Sequence, residues 1–345
     1  MANLFRILSI DGGGIRGILS GQLLVALEKK IQQRSGNPSA RIADYFDMIA
    51  GNSTGGILAC LYLFPDKNIP PRPLFSAEDA VNLYLQHGQE IFKDEIRQKL
   101  ISLGGLTNEK YPVDHFESLL KKYFKDIKLS QLLRPCIIPS YNITKRSTHF
   151  FTQHDAVKNV DHDFYIRDVA RATSAAPTYF EPACVSSLSD VSYPLVDGGV
   201  FANNPSLCAF AEARQLFKKN DASKNLTASE MFIVSIGTGA EKRSLNYDVA
   251  KGWGALGWIF PVLDIVMSGA VDTVDFQLQQ IFESVDCAHN YIRINPELKD
   301  AKPEMDNASS QNIEALREAG IISAEANDEK LDQIASYIVN RKIEG

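Results

Sequence analysis

A serine, an aspartate and a run of glycines are the residues of this chain whose types and spacing could do chemistry. Ser53 sits in Gly51-Asn52-Ser53-Thr54-Gly55. An apolar strand read over 45–50 enters this pentapeptide, and an apolar helix read over 54–63 leaves it. Glycines on both sides let strand and helix crowd together without a Cβ clash, and the sharp turn pushes the serine oxygen toward a substrate. The chemistry implied is nucleophilic attack by a hydroxyl.

A second glycine cluster could stabilise the charge such an attack creates. The short apolar strand 5–10 runs into Asp11-Gly12-Gly13-Gly14-Ile15-Arg16-Gly17. Leu19, Leu23, Leu27 and Ile31 then recur every four residues, the stripe of an amphipathic helix, and Ser35-Gly36-Asn37-Pro38 stops it. Bare N–H groups at a strand-to-helix turn, helped by the helix dipole, can hold a phosphate or the oxyanion of acyl transfer. Gly12, Gly14 and Gly17 also fit G-x-G-x-x-G, but a dinucleotide site wants a second strand with an acidic end about 20 residues on. The stretch near 32–34 is still helix, and no Gly-Lys-Ser/Thr follows for a phosphate loop.

The third element is Pro194-Leu195-Val196-Asp197-Gly198-Gly199. A carboxylate in a dry pocket can serve as general base toward a hydroxyl. The same residues can equally be a strand-ending turn. A triad is a further option for the base, with His289 as the later member in the order Ser53, Asp, His. Ser174 lacks flanking glycines and reads as helix-end structure.

Taken in order, these motifs resemble the patatin-like phospholipase family. Ala172-Thr173-Ser174-Ala175-Ala176-Pro177-Thr178-Tyr179-Phe180, Ser235-Ile236-Gly237-Thr238-Gly239 and Met305-Asp306-Asn307-Ala308-Ser309 extend the likeness from Phe5 to about Gly320. The resemblance implies a Ser53–Asp197 dyad and an oxyanion hole from Gly12, Gly13 and Gly14. Arg16 takes the basic place in that loop, either to bind a lipid phosphate, to steady the loop, or as a solvated helix-start residue. The implied reaction is hydrolysis of acyl esters of membrane lipids, phospholipid or galactolipid, without metal or cofactor. A small-molecule activator is compatible with the resemblance, and no residue identifies one.

The elements that must position these residues alternate between strand and helix. Strands are read at 5–10, 45–50, 135–141, 149–152, 195–196, 231–236 and 291–294. Helices are read at 77–92, 113–124, 166–173, 205–217, 275–282, 311–319 and 328–341. That alternation predicts a three-layer α/β/α fold with a largely parallel central sheet, patatin-like in the resemblance. Segments 65–73 and 104–112 read as loops, and the whole chain 1–345 reads as one domain.

Bulk properties bound the rest. A net charge of −6 over 345 residues gives no basic field for a nucleic-acid polymer. The five cysteines are scattered and lack metal spacing, which fits a reducing, cytoplasmic setting. Arg6 and the glycine loop interrupt any secretory signal. The apolar stretch 252–271 approaches spanning length, but Pro261 and Asp264 break it. It reads either as a core-covering helix or as a rim that touches a membrane surface through Trp253 and Trp258.

Overall fold

The structure, a computed structural model, describes residues 4–91, 113–220, 226–239 and 246–340. The expected loop 104–112 and the ends of the helices read to 92 and 341 lie outside them. Eight strands form one sheet: β1 (Phe5–Ile10), β2 (Met48–Gly51), β3 (Cys136–Asn142), β4 (Ser147–Thr152), β5 (Ala183–Ser186), β6 (Ser192–Asp197), β7 (Met231–Ile236) and β8 (Tyr291–Ile294). Their order is β5-β6-β3-β2-β1-β7-β8, with β4 beside β3.

Nine longer helices flank the sheet among the described residues: α1 (Gly17–Ser35), α2 (Thr54–Tyr62), α3 (Ala77–Ile91), α4 (Asp114–Phe124), α5 (Ile166–Thr173), α6 (Ser206–Asn220), α7 (Ala255–Glu283), α8 (Ser310–Ala326) and α9 (Asp328–Val339). Side chains alternate across β1, so Leu8 and Ile10 enter the larger core with α1 and α2 while Ile7 enters a second core with α6 and α7. Two apolar faces on one sheet require cover on both, which gives the three-layer α/β/α architecture expected from the sequence.

The register brings distant motifs together. Strands β2, β1, β7 and β8 run parallel, and β2 also pairs parallel with β3 through Ile49–Cys136 and Ala50–Ile137. Strand β4 covers one edge of β3 along its length. Strands β2 and β6 therefore share the other edge, end to end. Strand β6 runs antiparallel and pairs Asp197 with Ser140. Continuing the β2–β3 register by three residues sets Ser53 level with Ser140. The two strand ends thus meet head-on, with Ser53 on one and Asp197 on the other.

Two readings need correction here. The segment 45–50 is not all strand: Ile42–Tyr45 forms a helical turn, held by the Asp44 carboxylate accepting from the Arg41 N–H at 2.9 Å, and β2 begins at Met48. The stretch 252–271 is not a core-covering helix. It opens α7, where Trp258, Val262, Ile265 and Val266 lie exposed on one helical face. Its other face turns Met267 inward toward Gly199, and the later part of α7 packs on the core through Leu278 and Phe282. No helix among the described residues is long and apolar enough to cross a membrane.

Candidate functional site

Ser53 adopts φ 52° and ψ −121° at the head of α2, a region a residue with a Cβ enters only when its surroundings force it. The forcing is visible on both sides. A Cβ on Gly51 would sit 2.1 Å from the Gly55 carbonyl oxygen, and one on Gly55 would sit 2.2 Å from that of Ile10. Only glycine allows this approach of strand and helix. The Asn52 N–H donates to the Ile10 oxygen at 3.2 Å, and the Gly55 N–H to the Asn52 oxygen at 2.7 Å, closing the turn. The Ser53 N–H donates to Thr173 Oγ1 at 3.0 Å, whose hydroxyl donates to the Pro139 oxygen at 2.8 Å.

Asp197 is buried beside this turn. Its Oδ1 accepts from Gly199 N–H at 2.7 Å and from Asn52 Nδ2 at 3.1 Å. Its Oδ2 is buried and forms no hydrogen bond of good geometry, yet Ser53 faces the carboxylate closely enough to favour its charged form. Such contacts are commonly loose before substrate binds. Burial outweighs Ser53, Gly199 and Asn52 and pushes the Asp197 pKa up to about 6. A carboxylate of that basicity, bonded on one oxygen and open on the other, can act as a base at neutral pH.

The glycine loop divides in function. The Gly12 N–H donates to the Asn203 oxygen at 3.0 Å, so Gly12 is corrected from the expected set of oxyanion donors. Its backbone is spent holding the loop, and Thr238 Oγ1 donates to the Gly12 oxygen at 2.6 Å. No acceptor is found among the described residues for the N–H groups of Gly13 and Gly14. Gly14 has φ +58°, and a Cβ there would meet the Met305 oxygen at 2.2 Å. That same oxygen accepts the Ile15 N–H at 2.9 Å, which anchors the loop to the 305–309 segment.

Arg16 is buried, not the solvated residue of one reading, and its Nε donates to the Gly13 oxygen at 3.5 Å. It also lines a chamber of mixed walls, with Asp264, Asp272 and Glu304 beside Trp253, Leu263 and Val271. An apolar cleft beside that chamber contains Ser53 and Asp197, walled by Ile15, Ile57, Tyr84, Phe116, Phe180 and Met267. Tyr179, Met267 and Met305 belong to both walls. Ser174 Oγ donates to the Ala170 oxygen at 2.6 Å, the helix-end role expected of it.

His289 is exposed and precedes β8, while Ser53 follows β2. Since β2 and β8 point the same way through β1 and β7, the two residues lie at opposite ends of the sheet. The triad alternative fails on that topology. His289→Ala is expected to leave ester hydrolysis within about twofold of the parent, as for other exposed substitutions. An initial-rate assay on a soluble ester checks it.

Four residues of the site escaped the sequence reading. Asn52 also donates to Asn203 Oδ1 at 3.3 Å, so one amide ties the serine turn, the aspartate and the segment after it. Thr173 fixes the serine backbone. Arg293 forms a two-pronged pair with Asp11, Nη1 to Oδ1 at 2.9 Å and Nη2 to Oδ2 at 2.5 Å, under the glycine loop. Its signal was available: an arginine inside the apolar strand Tyr291–Ile294.

The sequence matches the patatin-like phospholipase family model over residues 8–209. The chain belongs to the patatin-like phospholipase family. It is 35% identical to patatin-like protein 1 of Arabidopsis thaliana over 339 residues, 92% of this chain and 81% of that one. It is 33% identical to patatin-like protein 2 of Oryza sativa subsp. japonica, covering 98% and 88%. Against patatin group J-1 of Solanum tuberosum the identity is 30%, covering 99% and 92%. The solved structure of VipD from Legionella pneumophila aligns with a TM-score of 0.35 at 12% identity, covering 94% of this chain and 67% of that one. Membership supports lipid acyl hydrolase activity in general.

Proposed function

We propose that the protein is a phospholipase A-type serine esterase that cleaves fatty-acyl esters of membrane glycerolipids through a Ser53–Asp197 dyad. The carrying observation is the meeting of β2 and β6, which sets the buried Asp197 carboxylate, with its Oδ2 unbonded, beside Ser53. In this reading the whole chain 1–345 works as one catalytic domain, cytoplasmic and peripheral on membranes. The amides and carboxylates of the chamber suit the hydroxyls of a galactolipid head group, and Arg16 is the lining cation that would meet a phospholipid phosphate.

Asp197 takes the proton of Ser53 Oγ as that oxygen attacks the ester carbonyl carbon. The carbonyl electrons move to oxygen, which accepts from the Gly13 and Gly14 N–H groups. Collapse breaks the ester C–O bond, and the proton passes from Asp197 to the departing alkoxide. Water then attacks the acyl-serine while Asp197 takes its proton. The fatty acid leaves and the proton returns to Ser53 Oγ. The test is a lipid panel with mass detection. Equimolar free fatty acid and lysolipid support the reading, and intact lipid across the panel overturns it.

The exposed face of α7 is the membrane contact in this proposal. Trp253 and Trp258 pack edge to face at 5.0 Å between ring centroids, and tryptophan favours the lipid–water interface. Replacing both with alanine is expected to weaken vesicle binding about tenfold or more and to leave turnover of a soluble ester within about twofold. Co-sedimentation and initial rates measure the two, and equal losses on both would remove the membrane role.

A further inference from the structure

A second apolar groove adjoins the cleft at Ser53. It lies between α2, α3 and α4. Ile57, Tyr84, Ile91 and Phe116 line both spaces, so the two share a wall rather than merely lying near each other. The helix geometry explains the direction. Ile57 and Leu61 stand four residues apart on one face of the helix that Ser53 caps. At 1.5 Å per residue, Leu61 lies about 12 Å beyond Ser53 along that helix. A stripe of aliphatic side chains therefore leads away from the reacting hydroxyl and into the groove.

The groove offers nothing to a polar ligand. Tyr84, His87 and Tyr123 are its polar side chains among the described residues. The Tyr84 hydroxyl donates to the Thr54 oxygen at 3.0 Å. His87 Nε2 and the Tyr123 hydroxyl bond each other at 2.9 Å. The remaining wall is leucine, isoleucine and phenylalanine, and an extended hydrocarbon is the occupant that loses nothing by entering. The chamber under α7, which mixes charged and apolar side chains, lies against the other wall of the cleft, through Tyr179, Met267 and Met305. A lipid at Ser53 thus meets an almost wholly apolar groove on one side and charged groups only on the other.

We propose that the acyl chain attached to the reacting carbonyl runs from Ser53 into the groove between α2, α3 and α4, where Leu83 and Leu119 set the chain-length preference. This rests on the reading of Ser53 as the acyl-accepting nucleophile. Leu83 and Leu119 line the far groove and not the cleft at Ser53, and both are only partly buried. They can therefore be enlarged without touching the reacting groups or the deepest core.

Leu83→Trp and Leu119→Trp are to be assayed beside the parent on a series of nitrophenyl esters from butyrate to palmitate. The parent is expected to favour the long esters. Each variant is expected to lose about tenfold or more in kcat/KM on palmitate, the scale on which an apolar pocket discriminates, and to stay within about twofold on butyrate. Melting curves confirm that each variant is folded, and the second variant serves if the first is not. Folded variants with unchanged palmitate turnover, or with equal losses on palmitate and butyrate, would overturn the groove assignment. A parent inactive on every ester would instead bring down the nucleophile reading beneath it.

Discussion

Ser53→Ala is expected to lower acyl-ester hydrolysis by at least about 10⁴-fold, the scale on which removal of a serine nucleophile acts. It should also abolish labelling by a fluorophosphonate probe. The fold should survive the change. Alanine keeps the Cβ, so the backbone at φ 52° is no more strained than before. The Ser53 N–H keeps its bond to Thr173 Oγ1 at 3.0 Å. The lost hydroxyl removes the Ser53 contact that favours the charged form of Asp197, which raises the proton affinity of that carboxylate further. Side-by-side lipid turnover, probe labelling and melting curves make the test. Substantial turnover in a folded Ser53→Ala protein would end the covalent mechanism.

Parts of this site could be read from the chain because they are local. The strands Phe5–Ile10, Met231–Ile236 and Tyr291–Ile294 and the helix Ile166–Thr173 stand where apolar runs and turn residues place them. Strand β6 is longer than the read 195–196, because Pro194 needs no ladder N–H toward the edge strand and pairing continues to Ser192. Strand β5 went unread: four residues with alternating exposure, just after Pro182, give too little period to register.

What the sequence could not display is contact between distant residues. The glycine loop looked uniform, yet its register against Asn203 occupies the Gly12 N–H and leaves those of Gly13 and Gly14 without an acceptor among the described residues. Asp197 was expected at the end of a strand in a largely parallel sheet. It arrives instead on an antiparallel strand that takes over the β3 edge where β2 stops. The α7 error has the same origin. An apolar run states that a face is sticky, and only the packing states whether protein or something else covers it.

The second large effect couples activity to stability through one proton. Asp197→Asn is expected to lose at least about 10³-fold in kcat while making the protein more stable. In the folded state burial holds the Asp197 pKa at about 6, above its ordinary value of 3.8. The folded protein therefore binds an extra proton between about pH 4 and 6, and its stability falls as pH rises through that window. The cost at neutral pH is about 3 kcal/mol. Activity moves the other way, because only the ionised carboxylate can take the Ser53 proton, so kcat/KM should climb through about pH 6 to a plateau. Asparagine matches the shape of aspartate. Its Oδ1 can still accept from Gly199 N–H and Asn52 Nδ2, and its Nδ2 can donate to Ser53 Oγ. The variant then escapes the cost of a buried charge but has no base. Melting temperature should rise by a few degrees at pH 7 and converge with the parent below pH 4. A folded Asp197→Asn protein that kept its activity, or a parental rate flat from pH 5 to 8, would rule out Asp197 as the base.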